Sequence, residues 1–412
     1  MTVSVPVLKL KPGQKELVTK VIERMKAGDT AAFIAPWKNG GYGLSPMNST
    51  SARPYRGWNR WSTSLSAFFQ DFRTPLWLTE RQIAEHGGSF IGGTKPAPTP
   101  IIFSGRYRRK AQAGLPDRSE ALPLDAQSKK PAAPAQPLVG EAAAVRAEEP
   151  GATYGRFVRE YHVYNLAQTV GVKLPKKMEK LLDERAARAE SWQLDDGLAE
   201  LRRILTESKV APLLFDTFGE ACYYNKGSHE IHVPKAKYFR SELDMWESVG
   251  HEEVHASGAK SLLDRPTLVG LHERGSDEHC LEEITAVMGS LFLCQEAGVP
   301  VTEDREKSWT AYMKQFKALD ILERNPSIFV QALVHADFAT QFIMHPENRP
   351  DFIKNKLPPN QVEFEFREFA TSRSSTDTTI NGEAVETEMD RANAAASELT
   401  RVSSPAVVLA RP

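Results

Sequence analysis

The sequence predicts an α+β protein in which a small basic α+β segment precedes a mainly helical one. Length is the first reason: 412 residues, at about 150 per domain, favour two domains over one. Composition is the second. From Lys110 to Thr153 the chain is Ala, Pro, Gly, Gln and charge, with no aromatic residue and no sustained period. Such a stretch buries too little apolar surface to order itself, so 110–153 reads as a disordered linker or insertion. Periodicity is the third: residues 1–109 are interrupted by Gly, Pro, Asn and Trp, whereas 178–345 carry a succession of helical patterns. Residues 346–412 read as a largely disordered tail, polar and without aromatics from Ser372 onward.

Taken in order, Gly13 to Ala27 forms the first expected helix and SLSAFFQDF, Ser64 to Phe72, the second. Thr79 can cap a third helix that ends at Gly87-Gly88. The run containing Pro100-Ile-Ile-Phe103 reads as a strand leaving the segment, and Tyr161 to Tyr164 alternates like another. If these two pair, the linker is an insertion and residues 154–175 complete the first domain. Met178 to Ser208 gives one or two helices, and two short strands flank a turn at Lys226-Gly227. Long helices follow over Ser241 to Ser257, Asp277 to Ala297, Ser308 to about Asp320, and Ile328 to Met344.

The three cysteines, Cys222, Cys280 and Cys294, are too few and too scattered for a disulfide framework or a CxxC metal site. The first residues lack the apolar core of a signal peptide, and no apolar run approaches a membrane span. The expectation is a cytoplasmic protein with no membrane partner. A formal net charge of -1 conceals a split. Residues 1–110 hold 17 Lys and Arg against 6 Asp and Glu, which leaves the remainder of the chain strongly acidic.

The sharpest motif is His251-Glu-Glu-Val-His255. Residues four apart share a helix face, so both imidazoles can reach one metal ion while Glu252 lies beside them to take a proton from water. Ser241 can cap this helix, and Gly258 lies just past its last turn. A catalytic zinc site needs a third protein ligand. In the helix that begins at Asp277, Leu281, Ile284, Met288 and Leu291 form an apolar stripe with Glu282 and Glu283 at its two edges. Either carboxylate can turn toward the metal. His229, His232, His279 and His335 read as surface or structural histidines, with His279 one turn before Glu283 and able to line the site.

The first segment carries a different signature. It holds four tryptophans, Trp37, Trp58, Trp61 and Trp77, and the run Arg53-Pro-Tyr55-Arg56-Gly-Trp58-Asn59-Arg60-Trp61 alternates cations with rings. Single-stranded nucleic acid is bound in this way, with cations on phosphates and flat rings on unpaired bases.

Both halves resemble the ArdC-type antirestriction proteins and the zincin-like metallopeptidase modules of phage and plasmid polyvalent proteins. The N-terminal likeness rests on Pro36-Trp37, Pro46-Met-Asn48, Tyr55 to Asn59, Trp77-Leu-Thr79 with Gln82, Gly93 with Lys95, and Tyr161 to Asn165 with Gln168 and Gly171. The C-terminal likeness rests on Tyr224, the stretch ending at Pro234, Phe239, His251 to His255, Arg265, Glu282-Glu283 with Ala286, and Trp309 to Phe316.

The resemblance implies a single-stranded DNA-binding domain, and together with the cation–ring run it makes Trp37, Asn48, Arg53, Tyr55, Arg56, Trp58, Asn59, Arg60, Trp61, Trp77 and Lys95 the expected contacts. It implies a gluzincin-like site with His251, His255 and Glu283 as metal ligands and Glu252 as catalytic base. The metal expected is Zn2+, with another divalent ion such as Mn2+ as the alternative, and the further partner is a protein substrate or host defence protein. Three departures stand out: Val287 where an acidic or Asn residue supports a ligand His, Ala259 where a second His is usual, and Ile91-Gly-Gly-Thr-Lys95-Pro where a more basic turn is usual. The first predicts a site without that support. An antirestriction metallopeptidase that binds single-stranded DNA is the leading expectation. The other is a non-catalytic DNA shield with a structural or vestigial metal site.

Overall fold

The strand pairing expected across the insertion is present. In the computed structural model, β4 (Thr99–Arg108) pairs antiparallel with β5 (Tyr154–Asn165) along a continuous register from Thr99↔Val163 to Arg108↔Tyr154. The described residues are 5–29, 45–108, 154–191, 193–299, 303–315 and 317–354. They all fall in one compact unit, Met1–Glu365. The second unit, Phe366–Pro412, the linker read at 110–153, and Trp37 lie outside the described residues.

After α1 (Pro12–Lys26), the short β1 (Met47–Asn48) pairs in parallel with β2 (Leu76–Leu78), and β2 lies antiparallel to the end of β5. The sheet order is β1-β2-β5-β4. Between β1 and β2 runs α2 (Gly57–Gln70), which begins seven residues before the expected Ser64 and so absorbs Trp58, Asn59, Arg60 and Trp61. The small α3 (Glu80–Glu85) is capped as expected, with Thr79 Oγ1 accepting from the Gln82 amide. A two-stranded pair, β3 (Ser89–Phe90) and β6 (Thr169–Val170), closes this part.

The following helices α4 (Lys176–Ser191) and α5 (Leu194–Ser208) lead to a three-stranded sheet of order β7-β9-β8. Its strands are β7 (Leu213–Thr217), β8 (Tyr223–Asn225) and β9 (Glu230–Pro234). Next come α6 (Glu242–Ser257), the short α7 (Pro266–Val269) and α8 (Asp277–Ala297). The single helix expected from Ser308 to Asp320 is two, α9 (Glu303–Gln315) and α10 (Ala318–Arg324), with Lys317 in the left-handed region at φ 55° between them. The last are α11 (Ser327–Met344) and α12 (Arg349–Lys354). By length and composition α11 could cross a bilayer, but 72% of it is buried in the protein, as befits a core helix.

Helices α8 and α11 pack together at the centre and serve two cores. One joins α5, α6, β9 and α12 through Leu205, Ile231, Val249, Leu293 and Phe342. The other joins α8 and α11 to the N-terminal segment, with Leu17, Val21, Trp58 and Trp61 against Ile284, Met288, Phe292 and Phe329. The two segments read from the sequence therefore share a core. A second close approach fixes the site. At Gly289 of α8, a Cβ would lie 2.6 Å from Val254 Cγ2, so the missing side chain lets α6 and α8 touch.

Candidate metal centre

Helix α6 turns His251 and His255 inward, one turn apart, and both are buried. Their Nε2 atoms are 3.2 Å from each other. From α8, Glu283 Oε2 lies 3.6 Å from His251 Nε2 and 3.7 Å from His255 Nε2. The three donor atoms fall within 4.8 Å of one another, as donors about 2.1 Å from a single divalent ion do. Of the two carboxylates left open by the sequence, Glu283 is the one brought to both Nε2 atoms.

Glu282 points the other way around α8 and meets the back of the same cluster. Its Oε1 lies 3.0 Å from His255 Nδ1. A hydrogen bond there places the imidazole proton on Nδ1 and leaves the Nε2 lone pair facing Glu283 and His251. Arg265 grips Glu282 with two nitrogens, Nη2 to Oε1 at 2.6 Å and Nε to Oε2 at 3.1 Å, and Thr267 Oγ1 donates to Oε2 at 2.6 Å. Arg265 also donates to the Val254 carbonyl and to Ser257 Oγ, so one guanidinium ties α6 to α8. Gly258 makes room for it, since a Cβ there would be 2.7 Å from the Arg265 guanidinium.

This corrects the expectation drawn from Val287. That side chain is wholly buried in the apolar core, and the acidic partner of His255 is Glu282 instead.

The charges are strongly coupled. Burial opposes ionisation of Glu282 and Glu283, yet Arg265 and His255 for the first, and His255 and His251 for the second, hold both well below the usual carboxylate range. Burial likewise opposes a charged His255, but Glu283 and Glu282 outweigh it and lift its pKa to about 10. Two imidazoles and a carboxylate, with one tautomer fixed from behind, fit a divalent cation, and a proton competes with that cation for the same lone pair.

Glu252 is half-buried beside these three residues, and its Oε2 accepts the Tyr224 backbone N–H of β8 at 2.8 Å. Two residues of α9 complete the wall, neither given a role by the sequence. The Trp309 ring stacks on His251 with centroids 5.3 Å apart. The Tyr312 hydroxyl donates to Glu283 Oε2, and burial together with the Glu283 charge raises its pKa, which keeps it a neutral donor. The signal available was their i, i+3 spacing on a helix, which places both on one face.

The other histidines lie around this centre. His279 Nε2 is 3.5 Å from Glu283 Oε1, at the rim. His229 is bonded to Tyr224 Oη and the Val210 carbonyl, and His232 stacks on Tyr223. His335 is close enough to Arg265 and Glu282 to feel both charges.

The expected nucleic-acid contacts require correction. Trp58, Trp61 and Trp77 are 0% exposed and cannot stack on a base. Arg60 is equally buried: its Nε donates to Gln295 Oε1 at 2.6 Å and its Nη1 lies 2.9 Å from Glu296 Oε1. Asn59 is spent on the edge of β4, exchanging two hydrogen bonds with the backbone of Ile102. Arg56 is half-buried, 3.6 Å from Glu296, and Tyr55 is half-buried against the Trp77 core. Asn48 Oδ1 accepts the amides of Thr50 and Ser51. Only Arg53 and Lys95 of the described set are exposed, and Lys95 pairs with Glu80.

Comparison with known proteins agrees with this architecture. Residues 11–163 match the family model of the N-terminal domain of anti-restriction factor ArdC, and residues 200–334 match that of a zincin-like metallopeptidase. A DNA primase TraC of Escherichia coli is 24% identical over 342 residues, which are 82% of this chain but 28% of that protein. The uncharacterized protein y4eC of Sinorhizobium fredii is 25% identical over 291 residues, covering 70% of this chain and 78% of the other. Among solved structures, the metal-free antirestriction ArdC protein of plasmid R388 aligns with a TM-score of 0.53 at 21% identity, over 83% of this chain and 99% of that one. Its Mn(II)-bound form aligns with a TM-score of 0.51 at 20% identity, over 84% and 100%.

Proposed function

We propose, from the chain's membership of the ArdC-type antirestriction protein family, that it joins a metallopeptidase centre to single-stranded DNA binding and protects the DNA of a mobile element from host defence. The peptidase half rests on one combination: three convergent donors, His251, His255 and Glu283, with a further carboxylate, Glu252, held beside them. A purely structural site needs its ligands and has no use for that fourth group. The reading as a non-catalytic shield drew on Val287, and it loses that support because Glu282 holds His255.

His251, His255 and Glu283 would hold the ion. Zinc suits the donor set, and manganese is the alternative because an ArdC relative has been solved with Mn(II). When bound, the metal supplies Lewis acidity, which polarises a carbonyl and brings the pKa of water toward about 7. Glu252 accepts the proton of the attacking water and returns it to the leaving amine. The Tyr224 amide occupies Glu252 Oε2, which leaves Oε1 for that exchange. Glu282 keeps the His255 tautomer, Tyr312 steadies Glu283, and Trp309 covers the His251 ring against water. β8 lies at the edge of its sheet beside Glu252. An extended peptide adds to such an edge through main-chain hydrogen bonds, so β8 is the proposed seat of the substrate.

The DNA half rests on the match of residues 11–163 and on the 17 cations against 6 carboxylates in residues 1–110. The test is Glu252→Gln. Metal content should stay unchanged while peptide hydrolysis falls by about 100-fold or more, and protection of DNA against restriction should fall with it. Full protection by this variant with metal bound would sink the peptidase account and leave the shield.

A further inference from the structure

With Trp58, Trp61 and Trp77 inside, the first segment needs another surface for unpaired bases. We propose that this surface is the β4–β5 ribbon, with single-stranded DNA laid along its aromatic face. The inference rests on the DNA-binding reading above and assigns it a place.

At its base the ribbon is part of the fold. Ile101 and Val163 are buried with Trp77, and pairing of β5 with β2 ends at Leu78↔Tyr164. Beyond that point β4 and β5 pair only with each other among the described residues, as far as Arg108↔Tyr154. Residues directly opposite in an antiparallel ladder share a face, and each strand returns to that face every second residue.

One row therefore contains Ile101↔Tyr161 and Phe103↔Arg159. Phe103 is 49% exposed and meets Tyr161 edge to face, with centroids 5.9 Å apart. Arg159 is also exposed. The row thus leaves the core at Tyr161 and continues outward with the Phe103 ring and the Arg159 cation. The two strands together hold four arginines against a single carboxylate, Glu160, and Glu160 is turned to α1, where its Oε2 accepts the Gly13 amide at 2.8 Å.

Spacing favours the same ligand. Same-face positions recur about every 6.8 Å along a strand, twice the roughly 3.4 Å rise per base in a stacked strand. A base can stack on the exposed Phe103 ring while a phosphate meets Arg159 on the same face. Duplex DNA keeps its bases paired and offers no such faces, so the ribbon selects the unpaired form.

The experiment measures fluorescence anisotropy of a labelled oligothymidylate with the full chain, at two salt concentrations. Phe103→Ala and Phe103→Leu should each weaken binding about 5- to 100-fold, the second because it keeps apolar bulk but loses the flat ring. Arg159→Ala should weaken binding and reduce the salt slope by about 0.7, the share of one phosphate contact on a single strand. Thermal melts unchanged from the parent establish that the variants are folded, and Lys20→Ala, at an exposed position of α1, is the control. Parent binding retained within twofold by all three ribbon variants would overturn the ribbon and leave the DNA-binding reading intact. No binding by the parent chain would overturn both.

Discussion

His255 Nδ1 and Glu282 Oε1 lie 3.0 Å apart, so the histidine that turns Nε2 to the proposed metal position is oriented from behind by the residue next to the proposed ligand Glu283. Adjacent residues of α8 thus serve one imidazole from its two sides. Loss of such support ordinarily costs about 10- to 100-fold in metal affinity. Glu282→Gln should show a loss of that size by competition with a chelator, with a smaller change in stability. Glu282→Ala should also destabilise the fold by about 3–5 kcal/mol, because it leaves the buried Arg265 guanidinium without its carboxylate. Equal metal affinity in parent and Glu282→Gln would remove the supporting role.

The contact of Gly289 with Val254 makes a second prediction. Alanine is favoured over glycine in a helix by about 1 kcal/mol, so Gly289→Ala would stabilise an open site. Here the new Cβ meets Val254 Cγ2 at 2.6 Å and Cγ1 at 3.0 Å. Overpacking costs about 1–3 kcal/mol, and a lower melting temperature is expected despite the better propensity. Val254→Ala in the same chain should recover part of that loss. A rise in melting temperature for Gly289→Ala alone would count against a tight α6–α8 contact.

These two residues also mark what the sequence could and could not reveal. The pairing of His251 with His255 is local, since four residues on a helix fix a shared face whatever surrounds them. The choice between Glu282 and Glu283 is not local. α8 is buried almost all round, including Glu282, Thr285, Ala286 and Ser290, so its apolar stripe has no sharp edge from which to judge where each carboxylate points. The support of His255 depends on Arg265 and Thr267, which approach from a separate turn of chain. Tryptophan, tyrosine and arginine suit both a base-stacking surface and a core with buried ion pairs. The deciding fact was that α2 begins at Gly57, which puts Trp58 and Trp61 on a buried helix face. Helix capping offered little warning, for Arg56 makes no side-chain cap.

Arg60 tests that correction directly. Its guanidinium is buried, stacks over Phe292 at 4.6 Å, and pairs with Glu296. Arg60→Ala should destabilise the protein by about 3–5 kcal/mol in denaturant melts, since it leaves Glu296 without its close partner and opens a cavity. Where the variant remains folded, oligonucleotide binding should keep its salt slope, because a buried cation releases no counterion from DNA. A slope reduced by about 0.7 with unchanged stability would restore Arg60 to the DNA surface.

His335 on α11 sets an acid limit on the fold. Burial first, and then the Arg265 charge, lower its pKa from the ordinary 6.5 to about 4, with Glu282 acting in the opposite sense. A histidine depressed in the folded state stabilises it fully above its unfolded pKa. That contribution is lost as pH falls from about 6.5 through about 4, because the unfolded chain takes up the proton first. The full loss is up to about 3 kcal/mol at 1.36 kcal/mol per pKa unit. His335→Gln cannot take up that proton, so the difference in unfolding free energy between parent and variant should shift by this amount between pH 7 and pH 4. Parallel stability curves for the two proteins across that window would show that His335 does not titrate with folding.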